Sequence, residues 1–329
     1  MPEPDIMKKK GGNSMSVYTY EHPNFKYSGV WQAKDGALRS YWNQSVAEVG
    51  YTGSKIRVLA QSAANVVVFV DGCEQWRGVL SGDVELVGEA GNHILKIVAP
   101  EKSCLAFTGV ELPEGQQLLP AVKKPHLLFI GDSITHAKPG FSYTTGENLD
   151  VDYEVKAYCG MSLTEGWGWY KVREGRVRPG METMFYKLED PVETEELTDY
   201  DFQYARIPDA IVIFLGTNDY LDSPEDQAAN HVPMFAETYD RFVTQLAQRY
   251  PNAKIFIFQA LSDKHCRREG IRAAYTKMAA HLPQVELIPT DTWNAEISAD
   301  GTHPAPAGYA TLAEKMTEYL KAKMNWQAR

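Results

Sequence analysis

The residue types that could do chemistry in this chain converge on acyl transfer. Ser133 lies in Gly131-Asp132-Ser133-Ile134-Thr135, directly after the apolar run Leu127 to Ile130. A serine hydroxyl is a weak nucleophile near neutral pH and needs a base within hydrogen-bond reach, itself oriented by a third group. Asp300-Gly301-Thr302-His303-Pro304 places a carboxylate and an imidazole on one short turn. Acyl transfer also needs donors for the oxyanion that develops on the carbonyl oxygen. Tyr158-Cys159-Gly160-Met161-Ser162 puts a glycine where its backbone N–H can come close to a substrate, and Leu215-Gly216-Thr217-Asn218-Asp219 offers a side-chain amide. Each segment alone is weak: a serine at a strand-to-helix turn serves equally well as a helix N-cap.

What must position these residues is legible as a repeating grammar after Pro125. Leu127 to Ile130, Ala210 to Leu215, Lys254 to Phe258 and Val285 to Ile288 are largely apolar runs of strand length, and Tyr153 to Tyr158 is a more alternating one. Helical faces lie between and after them: Phe235, Tyr239, Phe242, Val243 and Leu246; Ile271, Tyr275, Met278 and Leu282; Leu312, Met316, Tyr319 and Leu320. Apolar strands separated by amphipathic helices imply an α/β unit, a parallel sheet sandwiched by helices. Ligands of such sheets bind beyond the carboxyl ends of the strands, and there the candidate residues fall.

Upstream the grammar differs. Short β-segments such as Lys55 to Leu59, Asn65 to Val70 closed by Asp71-Gly72, Asp83 to Val87 and His93 to Val98 recur between turn residues and predict a smaller β-sandwich. The expected organisation is a flexible N-terminus over 1–16, the β-sandwich over 17–112, a proline-marked linker over 113–125 and the catalytic domain over 126–329.

Gly-Asp-Ser, the glycine block, Gly-x-Asn-Asp and Asp-x-x-His, met in that order and each past a predicted strand, resemble the blocks of the SGNH/GDSL hydrolases over roughly Pro125 to Met324. The resemblance implies a flavodoxin-like SGNH fold. It implies Ser133 as nucleophile, His303 as base and Asp300 as its partner. It further implies an oxyanion hole made by the N–H groups of Ser133 and Gly160 and the Asn218 side chain, with Asp132 and Asp219 as scaffold residues. The β-rich start with Val70-Asp71-Gly72 and Phe107-Thr108-Gly109-Val110, and then Tyr200-Asp201-Phe202 and Pro208-Asp209, look like the two-domain carbohydrate esterases of family two. That likeness implies a jelly-roll domain and removal of acetyl groups from sugars. Two departures bear on sugar specificity: His136-Ala137-Lys138 replaces the Cys-Gly typical there, and Asp300-Gly301-Thr302-His303-Pro304 replaces an Asp-Trp-His-Pro form.

Other candidates are weighed against plainer roles. Trp167, Trp169, Tyr170 and Trp293 are candidates for an aromatic wall, Trp167 and Trp293 foremost, though aromatics at such spacing also serve as core. The 172–208 stretch, with Glu193, Glu195 and Glu196, is long for a crossover and reads as a substrate-selecting insertion or a solvated excursion. His136, one turn past Ser133, need not reach back to its hydroxyl. Asp263, His265 and Cys266 lack metal-ligand spacing, as do Cys73, Cys104, Cys159 and Cys266, so no metal and no cofactor is expected.

With 43 acidic against 33 basic residues the formal charge is −10, which disfavours nucleic acid as a partner. No run approaches the ~20 apolar residues of a membrane span, and no signal peptide is visible. The sequence as it stands predicts a soluble cytoplasmic protein, or a secreted one if a leader was removed. The expected partner is a glycan or small-molecule ester. The first rival is an acyltransferase or a lactone-forming or lactone-cleaving enzyme, since the motifs do not fix the acceptor. The second is a vestigial hydrolase that binds carbohydrate.

Overall fold

The computed structural model describes residues 7–8, 14–99, 104–138, 140–167, 172–173, 176–177, 179–190, 197–220, 225–262 and 266–326. They fall into two compact units: residues up to Lys123 together with Leu188–Arg206, and Lys124–Lys187 together with Ile207 onward. The 188–206 stretch, expected within the catalytic domain, belongs to the first unit.

The first unit is an antiparallel sheet. Its principal strands are β1 (Met15–Thr19), β2 (Val46–Ala60), β3 (Ala64–Val70), β4 (Cys73–Leu80), β5 (Asp83–Val98) and β6 (Leu105–Pro113), in the order β1-β6-β2-β5-β3-β4. Asp71 and Gly72 both adopt positive φ, at 52° and 79°, which is the turn geometry that joins β3 to β4 in register with the strand twist. The segments 83–87 and 93–98, expected as separate strands, are one continuous β5. It stays paired with the long β2 through a bulge near Gly53 that absorbs the intervening glycines and polar residues. The expected linker carries structure as well: Leu118–Leu119 pairs with β2, and the Lys26 ammonium donates to the Val122 carbonyl at 2.8 Å. Trp31, Leu38, Val49, Val58, Val68, Ile97 and Phe107 form the core of this unit.

The second unit is a five-stranded parallel sheet flanked by helices. Its strands β7 (His126–Gly131), β8 (Asp152–Ala157), β9 (Ala210–Phe214), β10 (Lys254–Phe258) and β11 (Val285–Ile288) run in the order β8-β7-β9-β10-β11. That order reverses at β7, so a crevice opens beyond its carboxyl end. Alternate residues define one face: Leu127, Phe129, Val212, Phe214, Phe256 and Phe258 pack with Leu312, Met316 and Leu320 of α6 (Pro306–Met324) and with Phe141 of α2 (Phe141–Leu149). Leu128, Ile130, Ile211, Ile213, Ile255 and Ile257 point the other way and are equally buried. A sheet buried on both faces needs the near-continuous apolar strands that the sequence displays.

The unit also contains α3 (Met181–Met184), α4 (Glu225–Arg249) and α5 (Arg267–Ala279). The face Phe235, Tyr239, Phe242, Val243 and Leu246 of α4 is fully inside. Leu282, expected on the α5 face, lies beyond the end of that helix. Among the described residues no helix is long and apolar enough to cross a membrane.

Candidate active site

The first site element follows from a steric demand. A Cβ on Gly131 would lie 2.1 Å from Thr135 Oγ1 and 2.8 Å from the Phe214 carbonyl, so only glycine lets β7 run straight into α1 (Ser133–His136). Asp132 caps α1, its Oδ1 accepting the Ile134 N–H at 3.0 Å. Ser133 is thereby the first helical residue. The helix is a single turn, so help for an anion at Ser133 comes from local N–H groups rather than from the aligned dipoles of a long helix.

The turn before α6 carries Asp300 and His303. Ser298 N–H donates to the His303 carbonyl at 2.8 Å, Gly301 N–H donates to the Ser298 carbonyl at 2.9 Å, and Ile297 bridges Pro304. Within this loop Asp300 Oδ1 accepts from Thr302 N–H at 2.7 Å, His303 N–H at 2.9 Å and Ser298 Oγ at 2.8 Å. Its other oxygen lies 2.6 Å from His303 Nδ1, and His303 Nε2 lies 2.8 Å from Ser133 Oγ. Desolvation raises the Asp300 carboxyl, but the Thr302 and His303 donors outweigh it and hold the group well below the usual carboxylate range. An ionised Asp300 accepts the proton on Nδ1, which leaves Nε2 as the acceptor facing the serine hydroxyl. The residue types at 133, 300 and 303, distant in sequence, are brought into one hydrogen-bonded line.

The ends of β8 and β9 carry the candidate donors Gly160 and Asn218. Tyr158 N–H donates to the Gly131 carbonyl at 3.3 Å, which holds the chain beyond β8 against the end of β7. Gly160 then takes φ 74°, a left-handed conformation that a side chain would disfavour. Asn218 is buried and donates one amide hydrogen to the Met161 carbonyl at 2.9 Å, tying the β9 loop to the Gly160 loop. A side-chain amide carries two N–H donors, so a second remains for a substrate oxygen.

Asp219 accepts the N–H groups of Leu163 at 2.9 Å and Thr164 at 3.0 Å, one on each carboxylate oxygen. Burial pushes its carboxyl up to about 6, with those two donors opposing. The folded chain therefore binds the Asp219 proton more tightly than the unfolded chain, whose ordinary value is about 3.9. Its contribution to stability declines as pH rises from about 4 through 6 and is level above that. Asp219→Asn is expected to flatten that slope. It also leaves one of the two N–H groups without its acceptor, at a cost of about 1–3 kcal/mol at pH 7. Urea unfolding at pH 5 and pH 7 checks both parts. Asp132 behaves alike: burial raises it to about 6, opposed by the Ile134 N–H, the Thr217 hydroxyl and the charges of His303 and Arg267.

Arg267 was not anticipated. It is 2% exposed at the start of α5, and among the described residues its Nε and Nη2 find no hydrogen-bond partner. Burial lowers its pKa, while the charges of Asp132 and Asp300 raise it. In sequence it is only a basic residue opening an amphipathic helix. Ser298 was also missed, a lone serine in a polar loop with no motif around it.

His136 is held away from the base position. Its Nδ1 lies 3.2 Å from Cys159 Sγ and its ring stacks on Tyr158, with centroids 5.7 Å apart. The Trp167 carbonyl accepts from Ser162 Oγ at 2.9 Å, and the Trp167 ring meets His231 edge-on at 4.0 Å. Trp293 packs edge-on against Phe258 and lies against Tyr319, at 6.1 and 6.2 Å, on the sheet-face core. Trp169, Tyr170, Glu193, Glu195, Glu196, Asp263 and His265 lie outside the described residues. Among the described residues no three His, Cys, Asp or Glu side chains gather as a metal site would require.

Comparison with known proteins identifies the family. The GDSL-like Lipase/Acylhydrolase family matches residues 129–311. The chain is 22% identical to the cellulase/esterase CelE of Acetivibrio thermocellus across 93% of its own length and 40% of that protein's, so it spans well under half of this curated relative. Among solved structures it resembles a family two carbohydrate esterase from Cellvibrio japonicus, with a TM-score of 0.72 and 18% identity over 97% of this chain and 99% of the other. It also resembles an acetyl xylan esterase from the rumen bacterium Butyrivibrio proteoclasticus, with a TM-score of 0.72 and 18% identity over 95% and 99%. At such identities these two likenesses concern the fold.

Proposed function

The chain belongs to the GDSL-like Lipase/Acylhydrolase family, and from that premise we propose that it is a serine esterase acting on O-acetyl esters of carbohydrates. The observation that carries this reading is the line Asp300 Oδ2, His303 Nδ1, His303 Nε2, Ser133 Oγ, with separations of 2.6 and 2.8 Å. In the proposed reaction His303 takes the Ser133 proton as Oγ attacks the ester carbonyl. The N–H groups of Ser133 and Gly160 and the Asn218 amide receive the oxyanion, and the imidazolium returns its proton to the leaving alcohol. Water activated by the same imidazole releases the acid.

The carbohydrate part of the proposal rests on likeness to proteins named as carbohydrate esterase and acetyl xylan esterase. In this reading the antiparallel unit is a jelly-roll domain, and 126–329 carries the chemistry. Trp167 and Trp293 are proposed to border the sugar side of the site. Two measurements test the proposal. Acetylated sugars assayed beside aryl esters of graded acyl length are expected to give the highest kcat/KM for acetate on sugar; preference for long acyl chains would overturn the carbohydrate assignment. Asn218→Ala is expected to lower kcat by roughly 10²–10³-fold with little change in KM, and unchanged turnover would remove Asn218 from the oxyanion hole.

A further inference from the structure

We infer that Cys159 and His136 form a second nucleophilic pair beside the proposed active site, a modification site for small disulfides whose occupation shuts the oxyanion side of that site. The inference rests on the acyl-transfer reading of Ser133, Gly160 and Asn218, and the pair itself stands on separate observations. Cys159 is an exposed thiol with His136 Nδ1 3.2 Å from its sulfur. The His136 ring is kept in that orientation by its stack on Tyr158. A thiol with an imidazole in hydrogen-bond reach has the arrangement that generates a reactive thiolate. The mechanism above uses neither residue, because His303 serves Ser133.

Position gives the pair its consequence. Cys159 immediately precedes Gly160, and His136 closes the same helical turn that Ser133 opens. His136 Nδ1, on the turn that begins at Ser133, lies 3.2 Å from Cys159 Sγ, which places the sulfur beside that turn. A group attached to Cys159 Sγ therefore sits one residue from the proposed Gly160 donor.

The step is thiol–disulfide exchange. The Cys159 proton passes to His136 Nδ1, and Sγ attacks one sulfur of a disulfide R–S–S–R. A new S–S bond forms as the old one breaks, and the departing RS⁻ takes the proton from His136 to leave as RSH. Cys159 is oxidised to a mixed disulfide while the departing sulfur is reduced, and a second thiol reverses the exchange.

The test uses the full chain and the aromatic disulfide 5,5′-dithiobis(2-nitrobenzoate), whose released thiolate is timed by absorbance while peptide mass mapping identifies the cysteine. Cys159 is expected to react ahead of Cys73, Cys104 and Cys266, and His136→Ala to slow it by on the order of tenfold. Esterase activity should fall by about 10²-fold or more as Cys159 is modified and return with dithiothreitol. Cys159→Ser should keep its activity and resist the reagent. Faster reaction at Cys73, an unchanged rate in His136→Ala, or full activity with Cys159 modified would each overturn the inference. The labelling rate needs no turnover, so a chain that labels as expected but never hydrolyses esters would refute the acyl-transfer reading and leave the nucleophilic pair standing.

Discussion

Ser133→Ala is expected to lower turnover of an activated acetate ester by roughly six orders of magnitude, with His303→Ala about as severe and the double variant little worse than either. The expectation follows from the 2.8 Å contact between Ser133 Oγ and His303 Nε2, since hydroxyl and imidazole act as one unit and removing either abolishes the attack. Ser133 is partly exposed at the start of a one-turn helix capped by Asp132, so its truncation leaves the Ile134 N–H bond and the sheet unaffected. Steady-state kinetics beside far-ultraviolet circular dichroism separates loss of chemistry from loss of fold. A Ser133→Ala chain that still turned over, or still reacted with a fluorophosphonate, would move the nucleophile elsewhere.

Asp300→Asn is expected to cost on the order of 10⁴-fold in kcat while leaving KM nearly unchanged. The reason is a tautomer. Oδ1 accepts from Ser298, Thr302 and His303, and those three donors fix the amide of the variant with its oxygen toward them. The amide NH₂ then faces His303 Nδ1 where a carboxylate oxygen had been, so the ring proton moves to Nε2. That nitrogen can then only donate toward Ser133 and no longer takes its proton. Pre-steady-state acylation of Asp300→Asn should be slowed as much as turnover. Acylation at the native rate would show that Asp300 holds the loop without orienting the ring.

The parallel sheet was the most legible part of the chain. Runs such as Leu127 to Ile130 and Ala210 to Leu215 have no reason to be continuously apolar unless both faces are covered, and the four motif blocks stand at the ends that such a sheet gathers. β8 was harder to see. Its run alternates, with Asp152, Glu154 and Lys156 between less polar residues, yet Lys156 is buried, its ammonium donating to the Phe185 carbonyl at 2.6 Å and its pKa pushed down to about 7 by burial. A backbone acceptor far along the chain satisfies that charge, and no local pattern announces it. The same holds for Arg267, whose relation to Asp132 and Asp300 exists only once α5 is packed. In the antiparallel unit the strands were visible but not their pairing, because the register of β2 with β5 depends on a bulge that alternation cannot reveal. The assignment of Leu188–Arg206 to the first unit was hidden likewise, since Leu188 N–H bonds to Thr198 O and Asp201 N–H to Gln32 Oε1, both set by tertiary structure.

The catalytic account is tested most directly by trapping the acyl-enzyme. Wild-type protein mixed with an activated acetate ester, quenched in acid within the first turnover and digested, should carry one added acetyl group on the peptide containing Ser133. His303→Ala should show no such adduct on the same timescale. Turnover accompanied by an acetyl group on any other nucleophile, Cys159 included, or by no adduct at all, would contradict the account.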